Sequence, residues 1–315
     1  MANNSAELVG VCHPKWRGIR SATYALTPKV VEVAEIHSLS VADEEAKNVL
    51  QLRPTTVLLS GYPSGYDLLA KSLKQQAPEV RVFFFSHTPF TWYTDRLKEV
   101  SWLERMFVAY KDGHIDKIGF CKKDVASYFK AQGMNSFFVM NRLPKYEECS
   151  HKLNLATPSV GVWGSHLWHR NLLNQTLGTL MVKNATVHLN ELPDYFFLDE
   201  SRVKRHGILP KEEYLPLMRS IDVNLYVSFT DCFPMTVVES MAYGIPCITS
   251  NTSDIYAWSD YLKENMIISK IDSPLAIKEK IEWVFQHYGE IQEKMRKYLP
   301  ILNTEVEKTI AEFLA

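Results

Sequence analysis

Charge of one sign is the first thing this chain lacks: 35 Lys and Arg stand against 36 Asp and Glu, for a formal net charge of -1 and a pI of about 6.8. No global basic field exists to gather nucleic acid or an anionic bilayer, although a local patch is compatible with that balance. Long apolar runs are missing too. Nowhere do about 18 apolar residues follow one another, and the opening MANNSAELVGVC has no basic stretch leading into an apolar one, so neither a membrane span nor a signal peptide is expected. The five cysteines, Cys12, Cys121, Cys149, Cys232 and Cys247, form no CxxC pair, and their odd number cannot close a disulfide framework. A reducing, cytoplasmic setting is the expectation, and matches to N-x-[ST] such as Asn174-Gln175-Thr176 then carry no weight. Neither half carries G-x-G-x-x-G after its first strand, which disfavours a nicotinamide-dependent oxidoreductase. There is no Asp-x-Asp metal motif, no short repeat and no low-complexity segment.

What is present is alternation. At 315 residues and 46% hydrophobic composition the chain can bury two cores of ordinary size. In the first half, Leu8 to Cys12, Val30 to Val33, Thr56 to Leu59 and Val82 to Phe85 read as strands. Between them lie helical segments, Val41 to Leu50 with Asp43, Glu44 and Glu45 in its first turn, and Tyr66 to Gln75 with Leu68, Leu69 and Leu73 on one stripe. Strands separated by helices imply right-handed crossovers and a parallel sheet covered on both faces. From about Leu143 to Ser159 the chain turns polar and proline-bracketed, which marks an interdomain linker.

A second series follows: strands at Val160 to Trp163, Val187 to Leu189, Val223 to Val227 and Pro246 to Ser250, with helices at Arg170 to Val182, Lys211 to Arg219 and Pro234 to Tyr243. Two further helices end the chain. Ser273-Pro274 supplies a cap and a first-turn proline for one, and Thr304-Glu305-Val306-Glu307 has capping-box spacing for the other. The expected fold class is α/β with two Rossmann-like parallel-sheet domains, 1–148 and 149–302, and a last helix, about 303–315, free to pack back onto the first.

The stretch Ser228 to Asp254 is the most informative. A strand enters a polar turn, Pro234 suits a first helical turn, Gly244 suits a left-handed helix end, and Pro246 prevents continuation. The loop lies at the carboxyl end of a strand, where α/β sheets bind ligands, and a helix starting near Phe233 would aim its amides and the positive end of its dipole at a phosphate. Asp231 precedes this helix and Glu239 follows eight residues later, about two turns in. Such a pair fits a sugar contact and a ribose contact, and fits equally an acidic loop and a surface glutamate.

The run from Asp231 through Cys232-Phe233-Pro234-Met235-Thr236 and Glu239-Ser240-Met241-Ala242 to Gly244-Ile245-Pro246 resembles the E-x7-E signature of retaining GT-B glycosyltransferases, particularly glycosyltransferase family 4. The resemblance implies a GT-B fold with its two domains facing across a cleft, and transfer of a sugar from a nucleoside diphosphate sugar to an acceptor hydroxyl with retention. It implies that Asp231 contacts donor-sugar hydroxyls, that the amides after Phe233, at Met235 and Thr236, approach sugar and phosphate, and that Glu239 holds the ribose. Val160-Gly161-Val162-Trp163-Gly164-Ser165 through Arg170-Asn171 resembles the family's strand-Gly-Arg-x4-Lys-Gly segment. Arg170 takes the lysine position as a diphosphate cation, and Ser165 stands where the arginine belongs. His166 and His169 are the nearby substitutes for that missing charge. His206-Gly207-Ile208-Leu209-Pro210 resembles the loop whose backbone, at Gly207 and Leu209, meets the nucleotide base.

In the first half, Arg20 follows a loop in which only Gly18 remains of the family's glycines, and is a second candidate phosphate cation. His87, in Ser86-His87-Thr88-Pro89 at a strand end, occupies the place of a cleft-facing catalytic histidine. Cys121 to Asp124 and Val139-Met140-Asn141 resemble structural segments that finish the lobe. No cofactor and no divalent metal are implied, because Arg170, Arg20 and the helix would neutralise the diphosphate. The acceptor stays open among glycan, lipid-linked sugar, protein and modified nucleic acid. A catalytically silent sugar-nucleotide-binding or scaffold protein on the same fold is the competing reading, suggested by Ser165 and the short first lobe. If the two acids divide the donor between them, Glu239→Gln should weaken nucleotide binding, whereas Asp231→Asn should leave binding of the diphosphate product almost unchanged.

Overall fold

The computed structural model describes residues 8–94, 96–143 and 151–315. It divides into two compact units, Met1–Arg142 with Val306–Ala315, and Leu143–Glu305. Most of the expected linker, the boundary at 148 and 149, and Cys149 fall on residues 144–150, outside the described residues.

The first unit is built on β1 (Leu8–Cys12), β2 (Lys29–Glu32), β3 (Thr56–Ser60), β4 (Arg81–Ser86), β5 (Lys117–Phe120) and β6 (Ser136–Phe138), paired in parallel in the order β2-β1-β3-β4-β5-β6. Crossovers run through α1 (Arg17–Leu26), α2 (Leu39–Leu50), α3 (Tyr66–Gln76), α4 (Leu97–Lys111) and α5 (Lys123–Ala131). Every residue of β3 is buried, as befits a central parallel strand with both faces covered, whereas no residue of the edge strand β2 is. Helix α2 starts two residues ahead of expectation because the Ser38 hydroxyl accepts from the Val41 amide at 3.3 Å, and this leaves Asp43, Glu44 and Glu45 beyond the first turn.

The second unit holds β7 (Ser159–Val162), β8 (Thr186–Leu189), β9 (Val203–Arg205), β10 (Val223–Tyr226), β11 (Cys247–Ser250) and β12 (Ile267–Ile268), again all parallel, in the order β12-β11-β10-β7-β8-β9. Its helices are α6 (Leu172–Leu180), α7 (Lys211–Arg219), α8 (Met235–Ala242), α9 (Asp260–Met266) and α10 (Pro274–Gln286), with α11 (Tyr288–Leu314) following. The strand order reverses between β7 and β10, so the loops that leave these two strands flank a topological switch point, where open α/β sheets bind ligands.

Three sequence expectations are corrected here. Helix α6 begins at Leu172 rather than Arg170, because a 3-10 turn at Trp168–Arg170 and a left-handed Asn171 (φ 55°) intervene. Helix α8 begins at Met235, with Pro234 as its cap, so Glu239 lies one turn in rather than two. No helix starts at Thr304: α11 runs straight through it, and the Thr304 hydroxyl donates back to the Pro300 carbonyl at 3.0 Å. The local capping signal yields there to burial of Val306, Ile310 and Phe313 along one helical stripe. Phe313 packs its ring against Phe83, Phe85 and Phe137 of the first unit. Glu307 pairs there with Arg142 at 2.7 Å.

Candidate active site at the switch point of the second unit

The loop after β7 is shaped by two glycines. A Cβ on Gly161 would lie 2.3 Å from Asn224 Oδ1 and 2.4 Å from Trp163 Nε1, so only glycine lets that indole N–H donate to Asn224, at 2.5 Å, across the strand pair. Asn224 Nδ2 donates in turn to Ser240 Oγ at 2.8 Å, and Ser240 donates to the Ile245 carbonyl at 2.9 Å. This buried chain ties β7 and β10 to α8 and to the turn that follows it. Ser240→Ala should therefore lower stability by about 1.5 kcal/mol, because Asn224 and Ile245 each lose a buried partner, and urea unfolding reads the change directly.

Gly164 adopts φ 144°, a backbone conformation that L side chains rarely take up, and the stem of Arg170 lies beside it, its Cδ 3.4 Å from where a Cβ would stand. The rest of the loop is pinned to the end of β10. Asn171 Nδ2 donates to the Val227 carbonyl at 3.1 Å, the Val227 amide donates to Gln175 Oε1 at 2.8 Å, and the Phe229 amide donates to the His169 carbonyl at 2.8 Å. Arg170 is thus delivered to the switch point on a rigid support. Its guanidinium lies 5.2 Å from the centre of the Tyr226 ring and forms an ion pair with Asp231.

Asp231 is buried and its carboxylate is engaged on both oxygens. Oδ2 receives Arg170 and the Tyr226 hydroxyl, the latter at 2.5 Å, while Oδ1 accepts from the Cys232 amide at 2.7 Å. Beyond Phe233, which is buried, the chain enters α8, whose first-turn amides belong to Met235 and Thr236. Tyr214 of α7 meets the Trp163 ring edge-on, with ring centroids 5.3 Å apart. Glu239 is buried with Lys211 Nζ 3.7 Å from its carboxylate, and burial raises its pKa above the ordinary carboxylate value against the pull of that lysine.

The loop after β9 joins the same edge. Asn190, just past β8, accepts from the Gly164 amide through Oδ1 at 3.2 Å and donates through Nδ2 to the Gly207 carbonyl at 2.9 Å, so one amide side chain spaces the two loops. Gly207 is left-handed (φ 66°) and exposed, and Leu209 is half-buried. The His206 ring stacks on His188, and burial lowers both pKa values, that of His188 to about 4, so the His188 ring is neutral near pH 7.

Seen from the sequence, Asp231, Glu239, Arg170, Gly164, Phe233, Met235, Thr236, Gly207 and Leu209 are carried by elements that meet at one edge of one sheet. Ser165 and His166 are exposed on the loop and His169 is buried behind it. Two of the expected site residues lie in the first unit. Arg20 is half-exposed and spends its guanidinium on Glu32 of the edge strand β2, at 2.5 Å. His87 directs Nε2 to Ser60 Oγ at 2.8 Å and Nδ1 toward Cys121 Sγ at 3.9 Å, with its ring against Phe85. Burial lowers its pKa to about 3 despite the side chain of Asn141, so the ring is neutral near pH 7. Both nitrogens already face protein groups, an arrangement that suits positioning rather than proton transfer. Sequence reasoning missed Tyr226, Asn190, Lys211 and Tyr214. A tyrosine ending a strand one loop ahead of the acid was the available signal for Tyr226; the others needed coordinates.

Residues 199–300, which include α7, β10, α8 and β11, match the family model described as glycosyl transferases group 1. No curated protein matches the chain. Among solved structures, an alpha,alpha-trehalose-phosphate synthase (UDP-forming) from Burkholderia xenovorans, in complex with glucose-6-phosphate, aligns with TM-score 0.65 and 10% identity over 98% of this chain and 99% of that one. Sucrose-phosphate synthase from Thermosynechococcus elongatus aligns with TM-score 0.62 and 12% identity over 94% of each chain. A structure described as trehalose-6-phosphate from E. coli bound with UDP-2-fluoro glucose aligns with TM-score 0.63 and 11% identity over 87% and 77%. The fold is GT-B. Within a GT-B chain, the glycosyl transferases group 1 match spans the acidic pair, both residues of which lie in the second Rossmann-like unit. Among the described residues no helix is long and apolar enough to cross a membrane.

Proposed function

We propose that the chain is a glycosyltransferase that moves a sugar from a nucleoside diphosphate sugar to an acceptor hydroxyl, with retention at the anomeric carbon. One observation carries the reading: Arg170 and Asp231, 61 residues apart, meet at the switch-point edge beside the start of α8, and Glu239 lies one turn further along the same helix. A diphosphate fits the α8 amides and Arg170, the ribose diol fits the buried Glu239 carboxylate with Lys211 beside it, and the transferred sugar fits Asp231. The cations come from the chain itself, so a divalent ion is not required in this reading. Transition-state charge on the departing diphosphate would be stabilised by Arg170 and the α8 dipole, both already oriented before the donor arrives.

Of the structures alike in fold, one is bound with UDP-2-fluoro glucose and another is in complex with glucose-6-phosphate. A nucleoside diphosphate glucose and a sugar phosphate are therefore the first donor and acceptor to try. The protein, exhaustively chelated, would be incubated with UDP-, GDP- or ADP-glucose and glucose-6-phosphate, with release of nucleoside diphosphate followed and the product's anomeric configuration read by NMR. Release with one of the donors and a retained configuration are expected. Turnover that appears only when magnesium or manganese is restored would refute the metal-free reading. Binding of a diphosphate without hydrolysis or transfer would favour the silent sugar-nucleotide-binding protein, the reading that Ser165 in place of an arginine supports.

A further inference from the structure

The cation best placed for the donor diphosphate is already neutralised by the acid best placed for the donor sugar. Arg170 is not free to swing aside: its stem lies against Gly164, its guanidinium faces the Tyr226 ring, and the loop that carries it is bonded to the end of β10. A diphosphate arriving at Arg170 therefore meets the Asp231 carboxylate in the same small volume, and two anions share one cation in a site with little water to screen them. Asp231, for its part, has other holds. When the guanidinium turns its donors to phosphate, the Tyr226 hydroxyl and the Cys232 amide still bind the carboxylate and keep it in place.

We propose that Asp231 is a built-in competitor for the nucleoside diphosphate: it occupies Arg170 in the empty site, is displaced from it when donor binds, and by re-pairing after transfer helps expel the diphosphate product. This rests on the function proposed above and adds to it a device for product release, a step that limits many well-evolved enzymes. It also reverses one sequence-based expectation. Asp231→Asn should not leave diphosphate binding unchanged but should tighten it, because the amide keeps the shape and the oxygen that accepts from Cys232 while removing the charge that competes for Arg170. Transfer should slow in the same variant, since the sugar contact is weakened and the product leaves late.

The test is a double-mutant cycle at Asp231 and Arg170, read by calorimetry with UDP, GDP and ADP as separate probes at low salt. The nucleotide that binds the unmodified protein should bind Asp231→Asn about tenfold more tightly. In the Arg170→Ala background the same change at Asp231 should alter the dissociation constant by less than about twofold. Equal or weaker binding in Asp231→Asn overturns the inference, and so does tightening that persists without Arg170, since that reports only a general loss of negative charge. Binding of no diphosphate by either protein is a different result: it overturns the proposed function, and the inference goes with it. Circular dichroism melting identifies a variant that has lost its fold, and Asp231→Ser then takes its place in the cycle.

Discussion

Arg170→Ala should weaken nucleoside diphosphate binding by about a hundredfold, towards the upper end of the about 1.5–3 kcal/mol that the loss of one charge-assisted contact costs. With the guanidinium gone, the buried Asp231 carboxylate is still held by the Tyr226 hydroxyl and the Cys232 amide but has lost its cation. The empty protein should also melt earlier, because the truncated side chain strands the charge it was pairing. Arg170→Lys separates the two contributions: it restores a positive charge but not a planar fork, so it should recover part of the affinity and most of the stability. Calorimetry with the diphosphate, next to thermal melts of the three proteins, measures both. An unchanged dissociation constant at low salt in Arg170→Ala would remove this residue from the donor site.

That pair also marks the limit of what could be read from the residues in order. The run from the β10 strand to β11 was legible because each local signal agrees with its neighbours: an apolar strand, a polar loop, a proline at the helix start, a glycine at φ 71° in Gly244 and a proline after it. The parallel two-lobed architecture followed from the same alternation of periods. Short strands such as β5, β6 and β9 were not legible, since three or four residues carry too little periodicity to separate them from loops. Contacts between residues tens of positions apart were out of reach for a different reason. Spacing places Asp231 and Glu239 on one loop and helix, but nothing in it brings Arg170 to Asp231 or directs both nitrogens of His87 to Ser60 and Cys121. The Thr304 capping box failed because a local preference worth about 1 kcal/mol gave way to burial of several apolar side chains further along the helix.

Glu239→Gln should weaken nucleoside diphosphate binding by about thirtyfold while making the empty protein more stable at neutral pH. Two effects of one burial produce this. Glu239 has almost no contact with solvent, and the cation beside it, Lys211, stands 3.7 Å away with a largely exposed side chain, so desolvation outweighs the pairing and raises the carboxyl pKa. A raised folded-state pKa means the native protein holds this proton more tightly than the unfolded chain does. Its contribution to stability is then complete below the ordinary carboxylate pKa and is lost as pH rises through the folded value, so at pH 7 the ionised side chain counts against the fold. Glutamine removes that term, and the variant should melt above the unmodified protein at pH 7, with the gap closing as the pH is lowered into the carboxylate range. The same charge is what a ribose diol would find. Two hydroxyl donors meeting a desolvated carboxylate form charge-assisted bonds, and an amide offers one acceptor oxygen and a misplaced donor, which is a loss of about 2 kcal/mol. Melting curves at several pH values and calorimetry with the diphosphate therefore move in opposite directions for one substitution. A glutamate with no ligand to bind would show the gain in stability alone, with the dissociation constant of the nucleotide untouched.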